Sequence, residues 1–427
     1  MSGDEKKAAR LNFRPGVLES LYKRAGGRCS VPRCKNPTMG PFLNQEGAVN
    51  MGMACHIFSA AKNGPRGRGG KDEEFISSER NGLWCCNYHG TLIDKAKGCD
   101  FSADTLFAWK ALAEARTAKQ MNDIPSPLGW VEEIAFTQFA NTDFLPRIRL
   151  SRRTLLWGKS GTGKTILLEA AASISQAKYA ERFSASYIVN DDGVRSPAPF
   201  GAKVTYSTVD SLSKEISLRI LGIELTRQDG SIPCLLPPGD LEVIYCSELD
   251  CRRRDDEDDL DFMMRALHVD KSALLALAKK GTNTVMAGEI TIRQGSETDD
   301  DTGDATLRYK ENGDPYFELL FRKACQNFFV TYNRLSGSEK DRLILDLLIA
   351  KAREVCKQRL TLLLIECLAV SLDSNNLENL LGKLTEGQFQ VIVTLPPRAE
   401  KDVLEVKSGR LKLREADYLK SWQLALL

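Results

Sequence analysis

The octapeptide Gly158-Lys159-Ser160-Gly161-Thr162-Gly163-Lys164-Thr165 constrains this chain more than any other stretch, because it matches G-x-x-x-x-G-K-S/T and dictates what must flank it. Thr154-Leu155-Leu156-Trp157 before it is a short apolar run suited to a buried strand, and a helix is expected directly behind. Gly158, Gly161 and Gly163 let the backbone curl until successive N–H groups point at one polyphosphate, toward which the new helix also turns the positive end of its dipole. Ser160 belongs to the same cradle. Lys164 supplies the cation for the β- and γ-phosphates, and Thr165 the hydroxyl expected on Mg²⁺.

Length adds that this loop does not stand alone, since 427 residues exceed one typical core and favour two or three domains. Charged residues at 27% and apolar residues at 42% are the balance of an ordinary globular chain. The net charge of +2 conceals an asymmetry: residues 1–120 carry 19 Lys and Arg against 12 Asp and Glu, the remainder 40 against 45. A basic front predicts contact with a polyanion. There is no run of 18 apolar residues and the first residues do not read as a signal peptide, so a cytoplasmic protein without membrane contact is expected. In that compartment the twelve cysteines, crowded toward the front, point to metal and not to disulfides.

Along the chain, residues 11–25 read as a turn and a short amphipathic helix with Val17, Leu18 and Leu21 on one face. Cys29-x4-Cys34 and Cys86-x2-His89 then make a Cys3His set for a structural Zn²⁺ that would staple a domain with a small core, with Cys85 an alternative to Cys86. The loop from Lys62 to Lys71 spaces four cations with glycines and is suited to phosphate contact without base reading. A helix is expected from about Ala103 to Gln120, and the prolines and polar residues after it mark a linker at 123–129.

The order of the cysteine pair, Ala54-Cys55-His56-Ile57, Gly64-Pro65-Arg66, Asn81-Gly82, the second ligand pair and Leu92-Ile93-Asp94 resembles the HNH endonucleases, the ββα-metal family, over roughly residues 25–97. The resemblance implies that His56 is the general base for water attacking a phosphodiester, a task suited to a pKa near neutrality. It implies that Asn81 orients that imidazole and that Asp94 is a ligand of a catalytic Mg²⁺ or Mn²⁺. The chain departs from the family where His89 replaces a zinc cysteine and is followed by Gly90, and where Cys55 precedes His56.

Beyond the linker, strands are expected at Trp130–Phe139, Phe144–Leu150, Ala202–Thr208 and Leu241–Cys246. The acidic clusters Asp255–Asp261 and Asp299–Asp304 read as exposed loops, although the first could open a helix with Met263, Met264 and Leu267. Arg334-Leu335-Ser336-Gly337-Ser338 leads into a helix with Leu343, Ile344, Leu347 and Leu348 as its buried stripe. With Leu360–Glu366, Ser371-Leu372-Asp373 and Gln390–Thr394, this order resembles the signature motif, Walker B strand, D-loop and switch strand of ABC-type ATPases over roughly residues 130–400, in the compact RecF/SMC-like group. The resemblance implies that Ser336 and Gly337 grip the γ-phosphate of ATP held by a partner subunit, and that Asp373 lies at the nucleotide. Ile365-Glu366-Cys367 stands where the family has Asp-Glu, so Glu366 is either the catalytic acid or the metal-side acid. The switch strand ends in Thr394-Leu395-Pro396 without the family's His.

The sequence therefore predicts an α+β zinc-stapled ββα-metal domain (1–122), a linker (123–129) and an α/β P-loop ABC-type ATPase domain (130–427). The expected activity is ATP-regulated, metal-dependent cleavage of DNA by a homodimer or higher oligomer. The pairing resembles bacterial anti-phage defence modules, which implies a possible defence-system partner protein. A DNA-binding ATPase clamp that does not cut and an RNA-directed nuclease are the alternatives.

Overall fold

Apolar runs with no polar face need cover on both sides, and the strands Leu360–Ile365, Gln390–Thr394 and Arg153–Trp157 are such runs. In the computed structural model of the protein they form the middle of a five-stranded parallel sheet, flanked by Leu241–Ile244 on one edge and Gln423–Leu426 on the other. The structure describes residues 10–34, 36–42, 44–122, 128–211, 213–298, 305–370, 372–407 and 409–427. The 123–127 part of the expected linker, the Asp299–Asp304 cluster and Ser371 lie outside the described residues.

Alternate residues of the parallel strands serve two cores, as a period of two demands. Leu363, Ile365, Val391 and Val393 join the helix Gly337–Val355 through Leu343, Leu347 and Leu348. Leu362, Leu364 and Ile392 face Leu167 and Leu168 of the helix Lys164–Ala172. Beyond that helix lies a six-stranded sheet of antiparallel pairs, in the order Ile232–Cys234, Glu224–Asp229, Lys214–Leu221, Pro199–Thr208, Gly129–Phe139, Arg147–Arg149. The phosphate-loop helix is thus clasped between two sheets.

The N-terminal unit is a hairpin, Gly52–His56 with Gly82–Cys86, followed by the helix Asn87–Leu92, and so has ββα order. Gly82 is required there, because a Cβ would stand 2.3 Å from the Leu21 side chain. The helix Ala103–Asn122 joins this unit's core, to which the second unit lends Trp130 and Val209.

Several expectations change. The first helix spans Val17–Arg24 and buries Val17 and Leu21, while Leu18 points to solvent. The strand expected at Phe144–Leu150 shrinks to Arg147–Arg149, with Phe144 and Leu145 exposed ahead of Pro146, which has no N–H for a ladder. The linker's last residues are structured: Leu128 packs on the N-terminal core and Gly129 opens a strand. The cluster Asp255–Asp261 is not a solvated loop throughout, since Asp258 caps the helix Asp259–Leu267 and both Asp258 and Asp259 are buried. Each accepts a backbone N–H, from Phe317 and Leu319 respectively, and each pairs with a cation, Lys310 or Arg253.

Candidate functional site

At the C-terminal end of Arg153–Trp157 the chain turns through Gly161 (φ 84°) and Gly163 (φ 91°), left-handed conformations that glycine adopts without strain. Gly163 is the N-cap of Lys164–Ala172 and no side chain caps that end, so the first N–H groups of the helix are left for a ligand. Lys164 lies back over the loop, its Nζ donating to the carbonyls of Gly158 (2.5 Å) and Lys159 (2.9 Å), while Ser160 is exposed on the loop.

Thr165 Oγ1 donates to Glu366 Oε1 at 2.6 Å, joining the first turn of this helix to the residue just past Leu360–Ile365. Between the two roles left open for Glu366, this contact has the geometry of the metal-side acid. Glu366 Oε2 accepts from the Tyr245 hydroxyl at 2.7 Å. Cys367 turns into the fold and donates to the Cys246 carbonyl at 3.3 Å, and hydrogen bonding with Cys251 together with burial pushes its thiol pKa well up. Nothing in the sequence marks Tyr245 as a site residue, since it belongs to no motif.

Ser336 and Gly337 are exposed at the start of Gly337–Val355. Ser336 and Glu339 form a capping box, with the Ser336 N–H and Oγ each 2.9 Å from Glu339 Oε2. Hydrogen bonding to Lys323 is the main reason the Glu339 carboxyl sits down at about 2. Asp373 is the exposed N-cap of Ser374–Leu384 and accepts from Asn376 N at 2.8 Å.

In the N-terminal unit Cys29, Cys34, Cys86 and His89 converge, their donor atoms all within 4.8 Å of one another. The separations Cys34 Sγ–Cys86 Sγ (4.0 Å), Cys29 Sγ–His89 Nδ1 (3.7 Å) and Cys86 Sγ–His89 Nδ1 (3.2 Å) suit a tetrahedral ion with bonds of roughly 2.0–2.3 Å. Three thiols and one imidazole, mostly buried, are the donor chemistry of a closed zinc site, and it is Cys86 that joins the set in place of Cys85.

The HNH-like residues are arranged differently from expectation. His56 ends its strand with the imidazole stacked on Phe13, ring centroids 3.7 Å apart and planes 9° off parallel. Its Nε2 is buried without a hydrogen-bond partner. Burial first, and the charge of Arg10 second, hold its pKa at about 4 against a pull upward from Asp94, so it does not sit near neutrality. Asn81 makes no hydrogen bond to the ring. Its side chain bonds the backbone of Phe58 (2.8 and 2.9 Å) and Ile76 (3.1 Å), fixing the chain just beyond His56. Asp94 pairs with Arg66 at 2.6 Å, and Arg66 also donates to the carbonyls of Ile57, Ile93 and His56. Arg66 was expected in a phosphate-contacting loop, yet its side chain is 6% exposed and turned inward. Among the described residues the zinc-like set is the only group of three or more His, Cys, Asp or Glu with metal-ligand spacing, and Asp94 is not part of it.

No protein-family model matches the chain, and no curated protein matches it. Among solved structures it is similar to an SmcHead bound to the C-winged helix domain of ScpA, with 13% identity over 67% of this chain and 97% of that one and a TM-score of 0.42. It is also similar to an Smc head domain with an extended coiled coil from Pyrococcus furiosus, with 11% identity, 67% and 96% coverage and a TM-score of 0.41. A third is the recombination mediator protein RecF with ATP, with 13% identity, 67% and 99% coverage and a TM-score of 0.41. No helix among the described residues is long and apolar enough to cross a membrane.

Proposed function

We propose that the chain is an ABC-type ATPase whose nucleotide state governs an HNH-type nuclease unit acting on DNA. The observation that carries the reading is the contact of Thr165 with Glu366, which sets a hydroxyl and one carboxylate side by side beneath a phosphate cradle. Mg²⁺ bound there with ATP would supply charge neutralisation at the phosphates, with Thr165 and Glu366 as its protein ligands and Lys164 swinging from its loop carbonyls to the polyphosphate. Ser336 and Gly337, exposed at a helix start, are available to the γ-phosphate of a second copy, so ATP would close a dimer and bring two N-terminal units to one DNA. Zn²⁺ on Cys29, Cys34, Cys86 and His89 would hold the ββα unit together. His56 is the residue there suited to take a proton from water once a substrate displaces Phe13.

A second reading is a DNA-binding clamp that does not cut, favoured by the engagement of Asp94 with Arg66 and the cover over His56. One assay separates the two. Supercoiled plasmid is incubated with Mg²⁺ or Mn²⁺, with and without ATP, using wild type, His56→Ala and Lys164→Ala. The nuclease reading expects nicked or linear product that His56→Ala abolishes and Lys164→Ala makes indifferent to ATP. Retarded but uncut plasmid with wild type, or equal cutting by His56→Ala, sinks it, the former in favour of the clamp.

A further inference from the structure

Cys367, and not a second acid, follows Glu366 in the chain, so the carboxylate that meets Thr165 stands on a flexible side chain with three torsions. Something must hold that acid still. Tyr245 follows the strand Leu241–Ile244, whose parallel neighbour Leu360–Ile365 ends just before Glu366, and the register Ile244 with Leu363 brings the two strand ends together.

We propose that Tyr245 is a positioning residue for Glu366, its phenol fixing Oε2 so that Oε1 faces Thr165 and a nucleotide-bound divalent cation; this rests on the ATP-binding reading above. Among the described residues each of the two oxygens has one donor, Thr165 at 2.6 Å and Tyr245 at 2.7 Å, which sets both the rotamer and the plane of the carboxylate. A cation arriving at Oε1 competes with the Thr165 hydrogen bond alone and leaves the anchor on Oε2 intact. Tyr245 is itself immobile: it is 2% exposed, its carbonyl accepts from the Tyr179 hydroxyl at 2.7 Å, and the two rings meet edge to face at 5.0 Å. The Tyr179 hydroxyl also lies 2.9 Å from Asp250 Oδ2 and 2.9 Å from His268 Nε2, so the support continues to the end of the helix Asp259–Leu267.

The test uses the full chain and a fluorescent methylanthraniloyl-ATP, titrated in EDTA and then against rising Mg²⁺, with wild type, Tyr245→Phe, Tyr179→Phe and Lys164→Ala. Tyr245→Phe is expected to keep its metal-free affinity within about twofold while needing about tenfold more Mg²⁺ for half-maximal tightening, the effect of removing one hydrogen bond to a charged group. Tyr179→Phe should shift the Mg²⁺ requirement in the same direction and by less. A merely structural tyrosine would weaken both titrations together, and that outcome, or an unchanged Mg²⁺ requirement, overturns the assignment while leaving nucleotide binding standing. If wild type binds no more nucleotide than Lys164→Ala, the ATP-binding reading fails and the assignment falls with it.

Discussion

Phe13 lies flat on the His56 imidazole, and the segment carrying it is pinned by backbone hydrogen bonds from Leu11 to Ala60 and from Arg14 to Ser77. Desolvation by burial is the first cause of the low His56 pKa, about 4 against an ordinary 6.5, so the neutral form persists until the pH falls to about 4. Phe13→Ala admits water to the ring. The His56 pKa is expected to climb back toward 6.5, read from the imidazole resonances in a pH titration by NMR, with three histidines in the chain and His56→Gln for assignment. A midpoint that stays near 4 would show that Arg10, and not the phenyl cover, depresses it. At this scale the sequence was informative where chemistry needs a fixed spacing, as for Cys29, Cys34, Cys86 and His89. It was silent on Phe13 and Tyr245 and placed Arg66 at a phosphate instead of inside the fold, because a side chain that acts by covering or bracing another is placed by tertiary packing and leaves no spacing to read.

The helix Gly337–Val355 does more than present Ser336 at its start. From its buried face Asp346 receives the N–H groups of Thr284 (3.0 Å), Val285 (3.0 Å) and Met286 (2.7 Å), clasping the turn between Lys271–Lys280 and Gly288–Gln294. Burial raises the Asp346 carboxyl pKa and the three N–H donors oppose that rise. Asp346→Ala would orphan those donors and is expected to cost roughly 3 kcal/mol, read as a lower midpoint in urea unfolding, with Asp346→Asn intermediate because one acceptor oxygen remains. A loss under about 0.5 kcal/mol would mean that water reaches the turn. Elements were legible where hydrophobicity runs unbroken, as in Leu360–Ile365. Glu224–Asp229 was missed because one sheet face meets solvent, and at Asp258 and Asp259 the helix was foreseen only as an alternative to an exposed loop, since a charge run ordinarily marks a solvated face.

At the scale of the molecule the helix Ala103–Asn122 carries contacts that tie the two units together. Arg116 donates to the Thr208 carbonyl at 3.1 Å, buried Arg153 pairs with Asp104 at 2.6 Å, Arg33 pairs with Glu132, and Trp130 meets Trp109 edge to face. The proline-marked linker placed a domain boundary near residue 125, and the sequence had no means of showing that Trp130 and Val209 complete the N-terminal core. Two domains that share a core unfold together. With the Zn²⁺ proposed for Cys29, Cys34, Cys86 and His89 in place, a chelator is therefore expected to lower the melting temperature of the whole chain in calorimetry, not only to remove a small early transition. The double variant Arg116→Ala, Arg153→Ala cuts two of the rivets and should split the melt, leaving a later transition that no longer responds to the chelator. A late transition indifferent to chelation in the wild-type chain would mean that the seam transmits nothing. Coupling of this strength is also what a nucleotide-driven dimer needs if closure at the phosphate loop is to move the N-terminal unit, since a flexible tether would leave that unit where diffusion put it.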